Sequence, residues 1–280
     1  MITSEVAESF RRAELANGVV GRPVGTPSIR PAEIHKTDPS NVWIHHAVEE
    51  SPHSMCADFR VPASRGVPRF VDLMEVQRQV GILQAHRQMG VPDTDVFVLD
   101  EIALKLVTNY GPSDISRHSG VVRAQLVATS SRGRSRSLSQ YFALEGPGGL
   151  IAVGTAAASL VPHAVYDRVR SRPTAEEGTT SAGPRYTYME PIRVSAEDPL
   201  LSDHPSDHLT AVQTIADVER VSLEQSSYAR VRSLKLEFHR YADADPAPTL
   251  QLRVSKSGRL RAEVVQLGVR RAKITGTLEG

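Results

Sequence analysis

A chain of 280 residues, 40% apolar and 23% charged, has the composition of a globular protein long enough to bury its own core. Its 33 Lys and Arg against 32 Asp and Glu leave a net charge of +1, which excludes a global field for nucleic acid or a membrane surface. The single cysteine, Cys56, excludes an internal disulfide, and no run of apolar residues is long enough to span a bilayer as a helix.

The opening stretch MITSEVAESFRRAELANG lacks the basic-then-apolar order of a signal peptide, so the expected compartment is the cytoplasm. Residues 1–30 read as a lead-in, with a short helix around Val6 to Ala16 followed by the Gly- and Pro-rich GVVGRPVGTPSIRP. Two strand-like runs follow, NVWIHHAVEE and SMCADFRVP, closed by the turn PASRGVP. His45 and His46 alternate along the first run, so at most one of them faces inward. In FVDLMEVQRQVGILQAHRQMG the period changes: Val71, Met74, Val80, Ile82, Leu83 and Met89 recur at mixed steps of three and four. That pattern predicts a helix buried over much of its circumference, with Pro68 in its first turn and Gly90 and Pro92 stopping it.

Four strand-like runs come next, VFVLDEIALKLV, VVRAQLVATSS, SLSQYFALE and LIAVGTAAASLV, separated by NYGPSD, RGRSR and GPGG. Residues 168–187, centred on RSRPTAEEGTTSAGPR, have the small, polar content of a linker. Beyond it the same order returns: a helix-compatible stretch near His208 to Leu223, then strand-like RVRSLKLEFHRY, PTLQLRVSKSG, RLRAEVVQLGV and RAKITGTLE. One supersecondary order occurring twice predicts two related α+β domains, 31–167 and 188–280. Each is a long central helix wrapped by an antiparallel sheet of about four to six strands.

Three short elements carry a resemblance. Glu75-Val76-Gln77-Arg78-Gln79 is similar to the E-x-x-R-Q stretch of the A-factor biosynthesis (AfsA) family. Ile34-His35-Lys36 resembles the V-H-K/R element of the same family, and Asp203-His204-Pro205-Ser206-Asp207-His208 its D-H-P-x-D-H signature. The resemblance implies two tandem hotdog domains whose sheets run together, with ligand between the halves. It also implies a cofactor-free acyltransferase that joins a β-ketoacyl group from acyl carrier protein to the hydroxyl of dihydroxyacetone phosphate. The product would feed a γ-butyrolactone or butenolide signal that controls antibiotic production. The second half departs from the family pattern: Ala216 stands where the family has glutamate and Glu219 where it has arginine. That departure motivates a catalytically degenerate protein that binds acyl chains or acyl carrier protein, and a hotdog thioesterase or dehydratase is a third reading.

Residues three apart share a helix face, so Glu75 and Arg78 can point together into whatever the sheet encloses. Glu75 is the candidate general base for the attacking hydroxyl, and Arg78 the candidate holder of a phosphate or oxyanion. Gln79, Asp203, His204, Asp207 and His208 are candidate substrate-binding residues. An ordinary surface ion pair explains a Glu and an Arg at this spacing equally well. Either Asp203 or Asp207 can instead cap the following helix. A zinc site on the two histidines is disfavoured by Pro205, and no metal is expected. Arg132, Arg134 and Arg136 read as a solvated hairpin turn or as a dock for an acidic carrier protein, and Cys56 as a small buried hydrophobe. Two fused halves can satisfy their own pairing, so either a monomer or a homodimer is expected.

Overall fold

The computed structural model describes residues 28–66, 68–107, 119–132, 135–170, 186–192, 198, 200, 201, 203 and 208–280. The helix expected around Val6 to Ala16 lies outside them.

The helix expected after the PASRGVP turn spans Phe70–Met89 and is called α1. Of its 20 residues, 16 are buried, which is why its apolar positions recur around the whole circumference instead of along one stripe. Pro68 stands just outside the first turn, where Arg69 is the N-cap and donates its backbone N–H to the Asp72 carboxylate at 2.8 Å. At the other end Gly90 takes a left-handed conformation, φ 61°, that a side chain disfavours, and the helix stops there.

Among the described residues, eleven strands form one antiparallel sheet. They are β1 (Ile44–Ser51), β2 (Ser54–Arg60), β3 (Asp95–Leu106), β4 (Ser119–Arg132), β5 (Ser135–Gly146) and β6 (Gly149–Pro162). After them come β7 (Tyr188–Pro191), β8 (Arg230–Phe238), β9 (Thr249–Val254), β10 (Arg259–Gln266) and β11 (Val269–Glu279). Two further helices are α2 (His163–Arg170) and α3 (Ala211–Glu224). The spatial order is β1-β2-β4-β5-β6-β3-β8-β11-β10-β9-β7. Outward from the β3–β8 junction, one side runs β6, β5, β4 and the other β11, β10, β9. The repeated helix-then-meander order is therefore folded into a single sheet.

The junction is made by ordinary antiparallel pairing, with Ile102 opposite Leu236 and Leu104 opposite Leu234, all four side chains buried. These residues belong to one hydrophobic cluster that also holds Val76 of α1 and Ile215 and Val218 of α3. Each such side chain contributes about 1.5–3 kcal/mol by leaving water. Helix α1 packs on β1, β2, β4 and β5, α3 packs on β8 and β9, and the two helices touch each other.

Several expectations change at this level. Helix α2 runs across position 168, where the linker was expected to begin. Strand β7, at the sheet edge, was not foreseen because it is four residues long and ends in Pro191. A register shift between His45 and Val48, with His46 at φ 47°, turns both His45 and His46 out to solvent. The RGRSR segment is the β4–β5 hairpin, with Arg132 opposite Ser135 and Arg136 exposed, while Arg134 lies outside the described residues. Among the described residues no helix is long and apolar enough to cross a membrane.

Candidate functional site

Between α1, the start of α3 and the middle of the sheet lies a cavity of about 810 Å³. Its floor is supplied by inward residues of β3, β5 and β6, among them Ile102, Leu138, Phe142 and Ala156. His35, Lys36 and Arg78 stand on its wall beside α1, and Arg170, His208 and Arg271 on the side of α2 and α3. The result is a chamber with an apolar floor and a polar rim, where Asp100 and Asp243 also stand and Asp243 pairs with Arg170 at 2.9 Å, of a size that holds a small organic ligand.

Arg78 is held in place by Glu75, one helical turn back. The guanidinium donates through Nε to Glu75 Oε2 at 2.7 Å and through Nη2 to Oε1 at 2.8 Å, a fork that fixes its plane. Lys36 Nζ sits 3.2 Å from the same Oε1, and Gln79 Nε2 donates to it at 2.9 Å. Glu75 is fully buried behind the cavity wall that Lys36 and Arg78 form. Burial by itself would raise its pKa, but Arg78, Lys36 and the Gln79 amide reverse the sign and hold it down at about 2. The Glu75 carboxylate in turn keeps Arg78 charged against the opposing effect of burial.

The geometry corrects the role expected of Glu75. Arg78, Lys36 and the Gln79 amide all reach this carboxylate and hold its pKa down, which favours a charge committed to those partners over the proton-accepting role expected of it. It orients two cations that face the cavity. Gln79 holds the cluster in place as well: its Nε2 also donates to Asn41 O at 2.8 Å and its Oε1 accepts from Trp43 N at 2.9 Å, so both amide hydrogens are used within the protein.

Asp203 joins the same cluster from far along the chain. Its carboxylate accepts the backbone N–H groups of Thr37 at 3.3 Å and Asp38 at 3.0 Å and lies 3.6 Å from Lys36 Nζ. The Thr37 hydroxyl donates to the Asp203 carbonyl. Burial raises the pKa of Asp203, but the Asn41 side chain, the Asp38 N–H and Lys36 outweigh it and the net direction is down. Asp203 therefore ties the segment before α3 to Lys36, Thr37 and Asp38 instead of capping α3. The cap of α3 is Thr210, whose Oγ1 accepts from Gln213 N at 3.2 Å while the Gln213 side chain accepts from Thr210 N at 2.9 Å. His204 and Asp207 lie outside the described residues. His208 precedes α3, and its ring lines the cavity, edge-on to Tyr241 at 5.5 Å.

The two departures in the second half have structural explanations. Ala216 packs against the core. Glu219 is buried, and its carboxylate accepts the N–H groups of Phe70 at 2.8 Å and Val71 at 3.0 Å, the first two residues of α1. It ties the two helices together at a helix N-terminus, where negative charge is favoured. Burial nevertheless dominates and pushes Glu219 up to about 7. Cys56, half-buried, has its thiol pushed up by burial to about 11 and is no nucleophile at neutral pH.

The arrangement resembles solved structures over most of its length. A 12:0-ACP thioesterase from Umbellularia californica superposes with a TM-score of 0.57 over 83% of this chain and 99% of that one, at 11% identity. An acyl-ACP thioesterase from Bacteroides thetaiotaomicron gives 0.53 over 83% and 100%, at 14% identity. The fold is a hotdog fold. A putative oleoyl thioesterase from Lactobacillus plantarum gives 0.52 over 81% and 96%, at 10% identity. No protein-family model matches the sequence, and no curated protein matches it.

Two residues of this hotdog site were missed by sequence reasoning. Lys36 was quoted only as part of a short motif, and the signal for it was a lone lysine beside a histidine in a turn-rich segment. Gln77, fully buried on α1, donates to Thr155 O at 2.9 Å and lines the cavity, yet nothing in the E-x-x-R-Q spacing marks its place there. Among the described residues no group of three or more His, Cys, Asp or Glu is disposed to hold a metal ion.

Proposed function

We propose that this hotdog protein is an enzyme that takes an acyl thioester into its cavity and transfers the acyl group to a small nucleophile. The observation that carries the reading is the Lys36–Arg78 pair, anchored on Glu75 at the edge of a chamber with an apolar floor. An acyl chain gains free energy by leaving water for that chamber, and its carbonyl then lies against two fixed cations. Negative charge develops on the carbonyl oxygen as a nucleophile adds, and preorganised cations stabilise it more there than in water. Collapse of the intermediate restores the carbonyl and expels the thiol.

Water is the acceptor favoured by the likeness to acyl-ACP thioesterases, which makes the first reading a thioesterase. The second reading is transfer of a β-ketoacyl group from acyl carrier protein to dihydroxyacetone phosphate, in synthesis of a γ-butyrolactone-type signal. It is favoured by the E-x-x-R-Q stretch and by the presence of two cations, one for the oxyanion and one for a phosphate. Incubating the purified protein with acyl and β-ketoacyl carrier proteins, with and without dihydroxyacetone phosphate, separates the two. Free acid supports hydrolysis, and a phosphorylated ester supports transfer. Binding with no thiol release would reject both and leave a binding protein.

A further inference from the structure

A row of glutamine amides runs from the turn between β1 and β2 to the cavity floor, and each is oriented by what it bonds. Gln88 Nε2 donates to the carbonyls of Ser51 at 2.7 Å and Ser54 at 2.9 Å, and its Oε1 accepts from Gln84 Nε2 at 2.8 Å. Gln84 Nε2 also faces the carbonyls of His53 at 3.1 Å and Ala124 at 3.3 Å, so its Oε1 is the atom that accepts from Gln140 Nε2 at 2.8 Å. The Gln140 amide also donates to the Gly81 carbonyl, at 3.0 Å. Backbone carbonyls only accept, so none of these amides can be reversed end for end without losing bonds.

What remains is Gln140 Oε1, at the middle of β5. Gln140 is 3% exposed and lines the cavity with Leu138 and Phe142, the residues two before and two after it on the same face of the strand. Both hydrogens of its amide are used within the protein, and Oε1 accepts no hydrogen bond from a described residue. Its place is given by Gly81 of α1, which also lines the cavity: a Cβ there would stand 3.0 Å from Oε1 and 3.1 Å from the ring of Phe142. The bare glycine leaves that space open, and Ala156, opposite Gln140 on β6 and again part of the lining, is small as well. Gly81 lies three residues beyond Arg78 on α1, about 4.5 Å further along the helix axis.

We propose that Gln140 is a specificity-determining residue that selects acyl groups carrying a hydroxyl, with Oε1 accepting the hydroxyl hydrogen. The inference rests on the acyl-ligand reading above. With its carbonyl against Lys36 and Arg78, a chain that runs along α1 reaches Gln140 within its first few carbons. A plain alkyl chain strips water from Oε1 and gives nothing in return, which leaves a buried acceptor unsatisfied. A hydroxyl at that carbon restores the bond, and a site built in this way rejects the analogue that lacks the group. A keto oxygen is itself an acceptor, so the same amide disfavours an oxo group at that position.

Calorimetry on the full-length protein tests this with ketone analogues of a ten-carbon acyl thioester, in which a methylene replaces the sulfur so that nothing is released. The analogues are plain or hydroxylated at one of carbons two to five. One hydroxylated analogue is expected to bind about 10- to 100-fold more tightly than the plain one. Gln140→Met keeps the length of the side chain and removes the amide, and is expected to abolish the difference; a difference that survives in the folded variant overturns the proposal. If Gln140→Met does not fold, Gly81→Ala takes its place, because it leaves the amide row intact, suits a helix and sets a methyl group against Oε1. It is expected to shrink the preference several-fold, and an unchanged preference overturns the proposal. Equal affinity of the wild type for the plain and all the hydroxylated analogues rejects the role of Gln140 while the acyl-ligand reading stands. Binding of no analogue at all rejects that reading and this inference with it.

Discussion

Glu75 shows how one buried carboxylate can matter without touching substrate. It neutralises Lys36 and Arg78, whose other nearby anion is Asp203. Removing one partner of a buried ion cluster costs about 3–5 kcal/mol because the remaining charges stay desolvated. Glu75→Gln is therefore expected to lower the free energy of unfolding by about that amount, read from urea denaturation, as well as to impair turnover. The pH dependence follows from the direction of the shift. Because folding lowers the pKa from 4.5 to about 2, the contribution is complete above pH 4.5 and is lost as pH falls toward 2. The variant is expected to lack that part of the acid unfolding curve. Arg78→Lys keeps the charge but cannot bond both Glu75 oxygens in one plane, so kcat is expected to fall about 10²-fold with KM changed less. Steady-state kinetics on the best acyl thioester decides it.

At the scale of elements, the joint between α1 and α3 is the sensitive place. Glu219 caps α1 from α3 and is pushed up to about 7, and Asp72 in the first turn of α1 is pushed up by burial to about 6. Both folded pKa values are raised, from 3.8 and 4.5, so the stability these groups contribute is full below those unfolded values and is lost progressively as pH rises from there to about 6 for Asp72 and about 7 for Glu219. The midpoint of urea unfolding is expected to fall over that range in the wild type and to be flatter in Glu219→Gln. An unchanged slope would show that Glu219 does not titrate there. Strand β6 supplies a second test. A Cβ on Gly154 would lie 2.2 Å from Gln77 Oε1 and 2.7 Å from the Ala103 carbonyl of β3, so the strand needs glycine for close approach. Gly154→Ala is expected to cost about 1–3 kcal/mol in denaturation by overpacking beside the cavity. Elements themselves were largely legible in the sequence. The strands showed alternation and the α1 segment changed period with a glycine stop. The start of α3 was misplaced because the T-x-x-Q box at Thr210 and Gln213 was overlooked in favour of the aspartates before it.

For the whole molecule, the β3–β8 pairing and the shared core make cooperative unfolding the expected behaviour. Trp43, the one tryptophan, is buried on the side of α1, so its fluorescence reports that half, whereas far-UV circular dichroism reports both. The two probes are expected to give coincident transitions. Separate transitions would mean that residues 31–167 and 188–280 act as independent domains.

Period and turn chemistry are local properties, and they were enough to determine a buried central helix, a meander after it and the recurrence of that order. The residue types of the site were also present in the sequence, as Glu75, Arg78, His35, Lys36 and Asp203. Their roles were decided only in three dimensions. Whether a carboxylate accepts protons or merely holds cations depends on how many donors reach it, and the donors of Glu75 come from the turn before β1 as well as from its own helix.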